Sequence, residues 1–237
     1  MQKLLLSLLG LAFAMVAIAQ NKVVKDNNAE VRTVAKFNAI EVSGGIQLML
    51  SQGTQQVVAS AATIEDRNNL TTEVHDGVLK ISYDYTLYPK GSKGKQLKVY
   101  VAVPELTALE GSAGSQITVD GNFNTGQMAL SLSSGSSFKG ALKSTKMVVQ
   151  QNSGSQASLS GSGDELVIKT SSGAVFKGYD FVAKNCTADV NSGGVIETNV
   201  STGLVAEASS GGSIRYKGTG NIVKISTGSG GSINKAN

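Results

Sequence analysis

The chain has 237 residues, a formal net charge of +4 and only 16% charged residues. So mild a charge gives no reason to expect a nucleic acid partner or an anionic membrane surface. A single cysteine, Cys186, excludes an intrachain disulfide, and a single histidine, His75, leaves little from which to build a metal site. No metal and no cofactor is expected.

Residues 1–19 read as an export signal. Lys3 supplies the basic start, Leu4 to Ile18 the apolar run, and Ala17-Ile18-Ala19 the small-x-small cleavage site. No later apolar run is long enough to span a bilayer as a helix. Residues 20–36 form a polar leader or a first edge strand. Residues 37–237 are expected to be one domain, with a β-rich cap and first rungs over 37–104 and regular repeats over 105–237.

Within 37–104, Phe37 to Leu50 alternates through two strands around a Gly44-Gly45 bend. A strand over 55–60 and a short helical turn over 64–69 follow. Asp76-Gly77 between two alternating runs, 70–75 and 78–85, predicts a hairpin with a primed turn. Residues 86–95 are a loop, and 96–103 a further strand closed by Pro104.

From Glu110 to Ile233 a Ser/Asn-Gly corner recurs. Its glycines, Gly114, Gly135, Gly154, Gly173, Gly193, Gly211 and Gly228, are 21, 19, 19, 20, 18 and 17 residues apart. Apolar residues precede each corner at steps of two. One column holds Met128, Met147, Leu166, Cys186 and Leu204, and the next Leu109, Leu130, Val149, Ile168, Ala188, Ala206 and Val223. That is a strand with one buried face, repeated. After each corner, Val119, Phe138, Leu159, Phe176, Ile196 and Tyr216 form a further inward column, closed by bends at Gly121, Gly140, Gly161, Gly178 and Gly218. Asp120, Lys139, Ser160, Lys177, Glu197 and Lys217 form an outward column in which opposite charges meet. No such turn can bury its apolar face alone, so neighbours must stack. The fold class is all-β, a single-stranded right-handed parallel β-helix with rungs of about 19 residues behind an N-terminal β-rich cap.

An exported signal, Phe37-Asn38-Ala39-Ile40-Glu41-Val42-Ser43-Gly44-Gly45-Ile46, the hairpin Asp76-Gly77-Val78-Leu79-Lys80-Ile81 and the Ser-Gly rungs together resemble the head GIN domain family, over about Phe37 to Asn234. The resemblance implies an auto-transporter adhesin: a β-solenoid in the periplasm or on the surface of a Gram-negative bacterium. It brings no catalytic residues.

The residues themselves give three functional readings. The acids of the repeats, Asp120, Asp164, Glu165, Asp180, Asp189, Glu197 and Glu207, do not converge, so no catalytic or metal residues are assigned. A carbohydrate-active enzyme on a parallel β-helix is the alternative that two facing carboxylates would support. The binding candidates are Tyr83, Tyr85, Tyr88, Lys90, Lys93 and Lys95, where tyrosine beside lysine suits a glycan or other cell-surface polymer. The same segment also reads as a packed hairpin with a solvated lysine loop. Self-association through open solenoid ends is the third reading.

Overall fold

A computed structural model describes residues 26, 28–85 and 95–236. The expected export signal lies outside them, as do Tyr88, Lys90 and Lys93. The N-terminal part comprises β1 (Glu30–Arg32), β2 (Ala39–Val42), β3 (Gln47–Gln52), β4 (Gln56–Ser60), α1 (Ile64–Asn68), β5 (Leu70–His75), β6 (Val78–Tyr83) and β7 (Lys98–Val103). The repeats comprise β8 (Ala108–Gly111), β9 (Gln116–Leu132), β10 (Ser137–Gln151), β11 (Gln156–Thr170), β12 (Val175–Val190), β13 (Val195–Ala208), β14 (Ser213–Lys217), β15 (Asn221–Thr227) and β16 (Ser232–Lys235). Together they form a parallel β-solenoid of about seven turns. Each long strand from β9 to β12 runs from one corner to the next, across the second bend, pairing in parallel with its neighbours.

The corners are built alike. In each, a small residue and the glycine after it both have positive φ: Ala113 +49° and Gly114 +75°, Ser172 +52° and Gly173 +71°. Two successive left-handed residues make a primed turn, closed here by bonds such as Ser136 N–H to Ser133 O, 3.1 Å. Glycine therefore supplies only half of the corner, and the serine before it the other half. Each glycine N–H then donates to the corner carbonyl of the next rung, from Gly45 to Ala113 O through Gly211 to Ser229 O, at 2.9–3.2 Å. The buried hydroxyls of Ser136 and Ser155 add bonds to Gly111 O and Leu132 O.

The columns before the corners stack in the expected register. Met147 faces Met128 and Leu166, Leu166 faces Cys186, and Ile168 stands between Val149 and Ala188. After the corners the register differs from the expectation. Phe138 pairs with Ile117 and Ala157, Phe176 with Ala157 and Ile196, and Ile196 with Ile214, so Val119, Leu159 and Tyr216 belong two residues further along. The reason is steric. Gly140 and Gly178 are not bends: their missing side chains make room for the Phe138 and Phe176 rings, which a Cβ at either site would overlap. Where the first position is small, at Ala157, the second is large, Leu159. The rungs of β10, β11 and β12 keep their volume by trading between the two.

The outward column is corrected in the same way. Lys139 lies beside Thr118 and Ser158, and Glu197 lies between Lys177 and Arg215 rather than Lys217. Arg215 Nη1 is 3.7 Å from Glu197 Oε1. The last rung is also shifted. Ile225, not Val223, stacks on Ala206, because a bulge between Leu204 and Val205 absorbs Val223. Its corner is Ser229-Gly230, so the last step is 230 − 211 = 19 residues, matching the other rungs.

The N-terminal part interleaves with the repeats. β2 lies between β6 and β8, and β3 between β7 and β9, all in parallel. β6 and β7 thus form a rung outside the one made by β2 and β3, although they follow it in the chain. Antiparallel strands flank this outer rung, β5 on β6 and β4 on β7, with β1 beyond β4. Thr63 caps the N-terminus of α1, its hydroxyl accepting from Asp66 N–H.

Cys186 lies inside this core, 2% exposed, with Sγ 3.5 Å from Thr198 Oγ1. Burial pushes its thiol up to about 11, the Thr198 contact opposing in part. The folded protein is expected to resist a thiol reagent that labels the unfolded chain at once. Because the native state holds the proton more tightly than the unfolded one, stability falls as pH rises from about 9 to about 11, by roughly 2–3 kcal/mol. Rapid labelling of the folded protein, or pH-independent melting across that window, contradicts this placement.

Candidate binding site

Three of the six predicted tyrosine and lysine residues are described, and they come together. Tyr83 and Tyr85 meet edge to face with centroids 5.0 Å apart, and Lys95 Nζ lies 3.9 Å from the first ring centre and 4.3 Å from the second. Tyr83 ends β6 with its ring buried, and its hydroxyl donates to Asp66 Oδ1 at 2.8 Å. Tyr85 is 54% exposed, yet its hydroxyl donates to Gly44 O at 2.7 Å. The Gly44 carbonyl is the corner acceptor at the N-terminal end of the glycine ladder, so Tyr85 supplies the donor that a further corner would have given. Much of this cluster is therefore spent on packing. Tyr85→Phe removes one hydrogen bond and Lys95→Ala two cation–π contacts. Each is expected to lower stability by about 1 kcal/mol in thermal melts; unchanged melting shows that the cluster does not hold the corner.

A concavity of about 560 Å³ lies on the outward face of the repeats, lined across five rungs by Thr118, Lys139, Ser158, Lys177, Tyr179 and Glu197 among others. Tyr179 is its aromatic residue. Lys217 Nζ lies 5.2 Å from the ring centre, and Asn199 Nδ2 donates to the Tyr179 carbonyl at 3.1 Å. Burial, and next the negative charge of Glu197, raise the phenol above its ordinary value. This residue was not picked out from the sequence, although a signal was present. The rung from Gly173 to Gly193 is 20 residues long where its predecessor is 19. The extra residue sits where the register jumps, opposite Ser158 to Ser160, and that bulge carries Tyr179. The 21-residue rung has its surplus at the same place, around Gly121, which also lines the concavity.

A second groove, about 910 Å³, follows the bends past Asn124, Lys143, Ser162, Asp164, Lys184 and Ser201. Here Asp164 Oδ1 is 2.7 Å from Lys184 Nζ, and nearby Glu165 Oε2 is 3.5 Å from Lys146 Nζ. The two adjacent carboxylates thus face separate lysines on neighbouring rungs rather than each other. No group of three or more metal-ligating side chains is found among the described residues. None of the described helices is long and apolar enough to cross a membrane.

Solved structures share this fold. A "putative adhesin" from Bacteroides fragilis NCTC 9343 superposes with a TM-score of 0.80 at 17% identity, covering 88% of this chain and 96% of that one. A "putative adhesin" from Parabacteroides merdae ATCC 43184 gives 0.67 at 17% identity, over 88% and 95%. A "putative lipid binding protein" from Parabacteroides distasonis ATCC 8503 gives 0.63 at 19% identity, over 90% and 98%. No curated protein matches the sequence. The family model described as "Putative auto-transporter adhesin, head GIN domain" matches residues 36–220, and the chain belongs to that family.

Proposed function

We propose that the protein is a non-catalytic adhesion module, exported to the periplasm or cell surface of a Gram-negative bacterium, that binds a glycan or other cell-surface polymer in the Tyr179 concavity. Family membership supports an adhesive role. The observation that carries the reading further is the shape of the concavity. It crosses five rungs, and four steps of about 4.8 Å give roughly 19 Å, the length of several sugar units rather than one small molecule. Its walls alternate lysine, serine and carboxylate, with one tyrosine as an apolar platform carrying a polar tip.

The test is a glycan array on the purified protein, repeated with variants. Tyr179→Ala is expected to weaken binding at least about fivefold while shifting stability by no more than about 1 kcal/mol. The sequence-derived loop is the competing face on the same protein. Replacing Tyr88, Lys93 and Lys95 together by alanine tests it. Loss of binding there, with Tyr179→Ala neutral, moves the site to the loop; binding unaffected by either change removes both.

A further inference from the structure

The two ends of the solenoid differ, and the difference is complementary. The strands form one continuous sheet, through which two runs of strand pairing, called the two sheets below, pass unbroken from one end to the other. One begins with β5 and finishes with β15; the other begins with β1 and finishes with β16. Among the described residues each of these four strands pairs on one side only: β5 with β6, β1 with β4, β15 with β13 and β16 with β14. A second copy placed along the axis therefore meets β15 with its own β5 and β16 with its own β1, extending both sheets together.

Charge and apolar exposure favour the same arrangement. Residues 208–237 contain Arg215, Lys217, Lys224 and Lys235 and no acid, a net of +4. The opposite end as a whole, residues 26–103 with the outer rung included, holds eight acids and eight basic residues and is balanced, but its edge strands β1 and β5 carry Glu30, Glu73 and Arg32, 1 − 2 = −1. Of seven large apolar side chains left exposed among the described residues, three (Ile222, Val223 and Ile225) are on β15 and two (Val31 and Ile64) are at the opposite end. The three on β15 thus sit on the rung where a stacked copy would seat.

The register can be worked out from side-chain facing. On β15, Ile225 and Thr227 continue inward columns and Lys224 continues an outward one, since they pair with Ala206, Ala208 and Val205. On β5, Leu70, Thr72 and Val74 oppose the buried Tyr83, Ile81 and Leu79, whereas Glu73 opposes outward-facing Lys80. Antiparallel pairing of Lys224 with Glu73 places Ile225 against Thr72 and Thr227 against Leu70, so inward residues meet inward ones. It also prolongs an existing alternation, because Lys80 Nζ is already 3.5 Å from Glu41 Oε2. Glu73 Oε2 lies 3.2 Å from His75 Nε2 on its own strand, at the exposed surface, where it remains open to a second cation.

We infer that copies of this chain stack head to tail, the β15–β16 rung of one seating on the β5 and β1 edges of the next. Such an interface is heterologous, so it propagates rather than closing into a dimer. A lysine on an edge strand also serves as protection against pairing, and the two roles make opposite predictions.

Sedimentation velocity over a range of concentrations decides between them. The purified protein is expected to form species beyond the dimer as concentration rises. Lys224→Glu and Glu73→Lys, each alone, set like charges against each other at every contact and should weaken association about tenfold. Mixed in equal amounts, the two variants offer opposite charges at both kinds of contact, and association should return. That recovery cannot come from misfolded protein. A monomer at all concentrations, a closed dimer, or association unaffected by either variant overturns the inference. So does a mixture that behaves as its separate components. None of these outcomes bears on glycan binding at Tyr179, so the two proposals fail separately.

Discussion

Ile168→Asp is expected to remove the cooperative fold, costing about 4 kcal/mol or more. Ile168 is fully buried in β11, with Val149 of one rung and Ala188 of the next in register on either side. A carboxylate there has no cation within its column and no route to water. It must either take up a proton or open the stack. In a solenoid each rung completes the core of its neighbours, so the damage spreads along the axis. Val175→Asp is the matched control. Val175 begins β12 between Gln156 and Val195, on the outward side of the sheet and only half-buried. Its loss should stay within about 1 kcal/mol. Thermal melts that show equal destabilisation by the two changes contradict the inward register.

Gly161→Ala should be nearly as damaging, at about 3 kcal/mol, although it adds a single methyl group. Gly161 sits at the second bend with φ +111°, and its new Cβ would run into the backbone carbonyl of Leu142 on the rung before. That carbonyl is held in the β10–β11 ladder and cannot turn aside. Gly173→Ala is the comparison that separates contact from conformation. It too has positive φ, +71°, but nothing lies within 4 Å of the added carbon. Only the left-handed backbone is then penalised, by about 1–2 kcal/mol. Denaturant melts should rank the two in that order. If Gly173→Ala proves the worse, corner strain outweighs rung-to-rung contact in this fold.

These two glycines show where the sequence is readable and where it is not. The corners and the columns before them are set by local pattern. Ser-Gly supplies the turn, step-two alternation supplies one buried face, and the recurrence leaves stacking as the way to bury it. Met128, Met147, Leu166, Cys186 and Leu204 are one column in the sequence and one column in the fold. After the corners, local pattern fails because glycine has two uses. Gly121, Gly161 and Gly218 bend the chain with positive φ, whereas Gly140 and Gly178 lie in extended strand and yield space to a phenylalanine ring. The letter is the same, and only the neighbouring rung distinguishes the uses.

The candidate sites divide in the same way. Tyrosine and lysine near residues 83–98 stand out by composition, but whether a ring faces solvent or packs depends on contacts far away in sequence. Tyr83 reaches Asp66, and Tyr85 reaches Gly44, 41 residues away. Tyr179 has no unusual neighbours in sequence. It lines a concavity because one extra residue in its rung is absorbed as a bulge at a fixed point of the cross-section. The sequence by itself determined the repeat, every corner but the last, the buried thiol and the family resemblance, since each is a local pattern repeated. Tertiary structure alone decided the order of the first rungs, with β6 and β7 outside β2 and β3, and the outward neighbours of each charge. Those depend on pairing between segments whose separation along the chain carries no periodic signal.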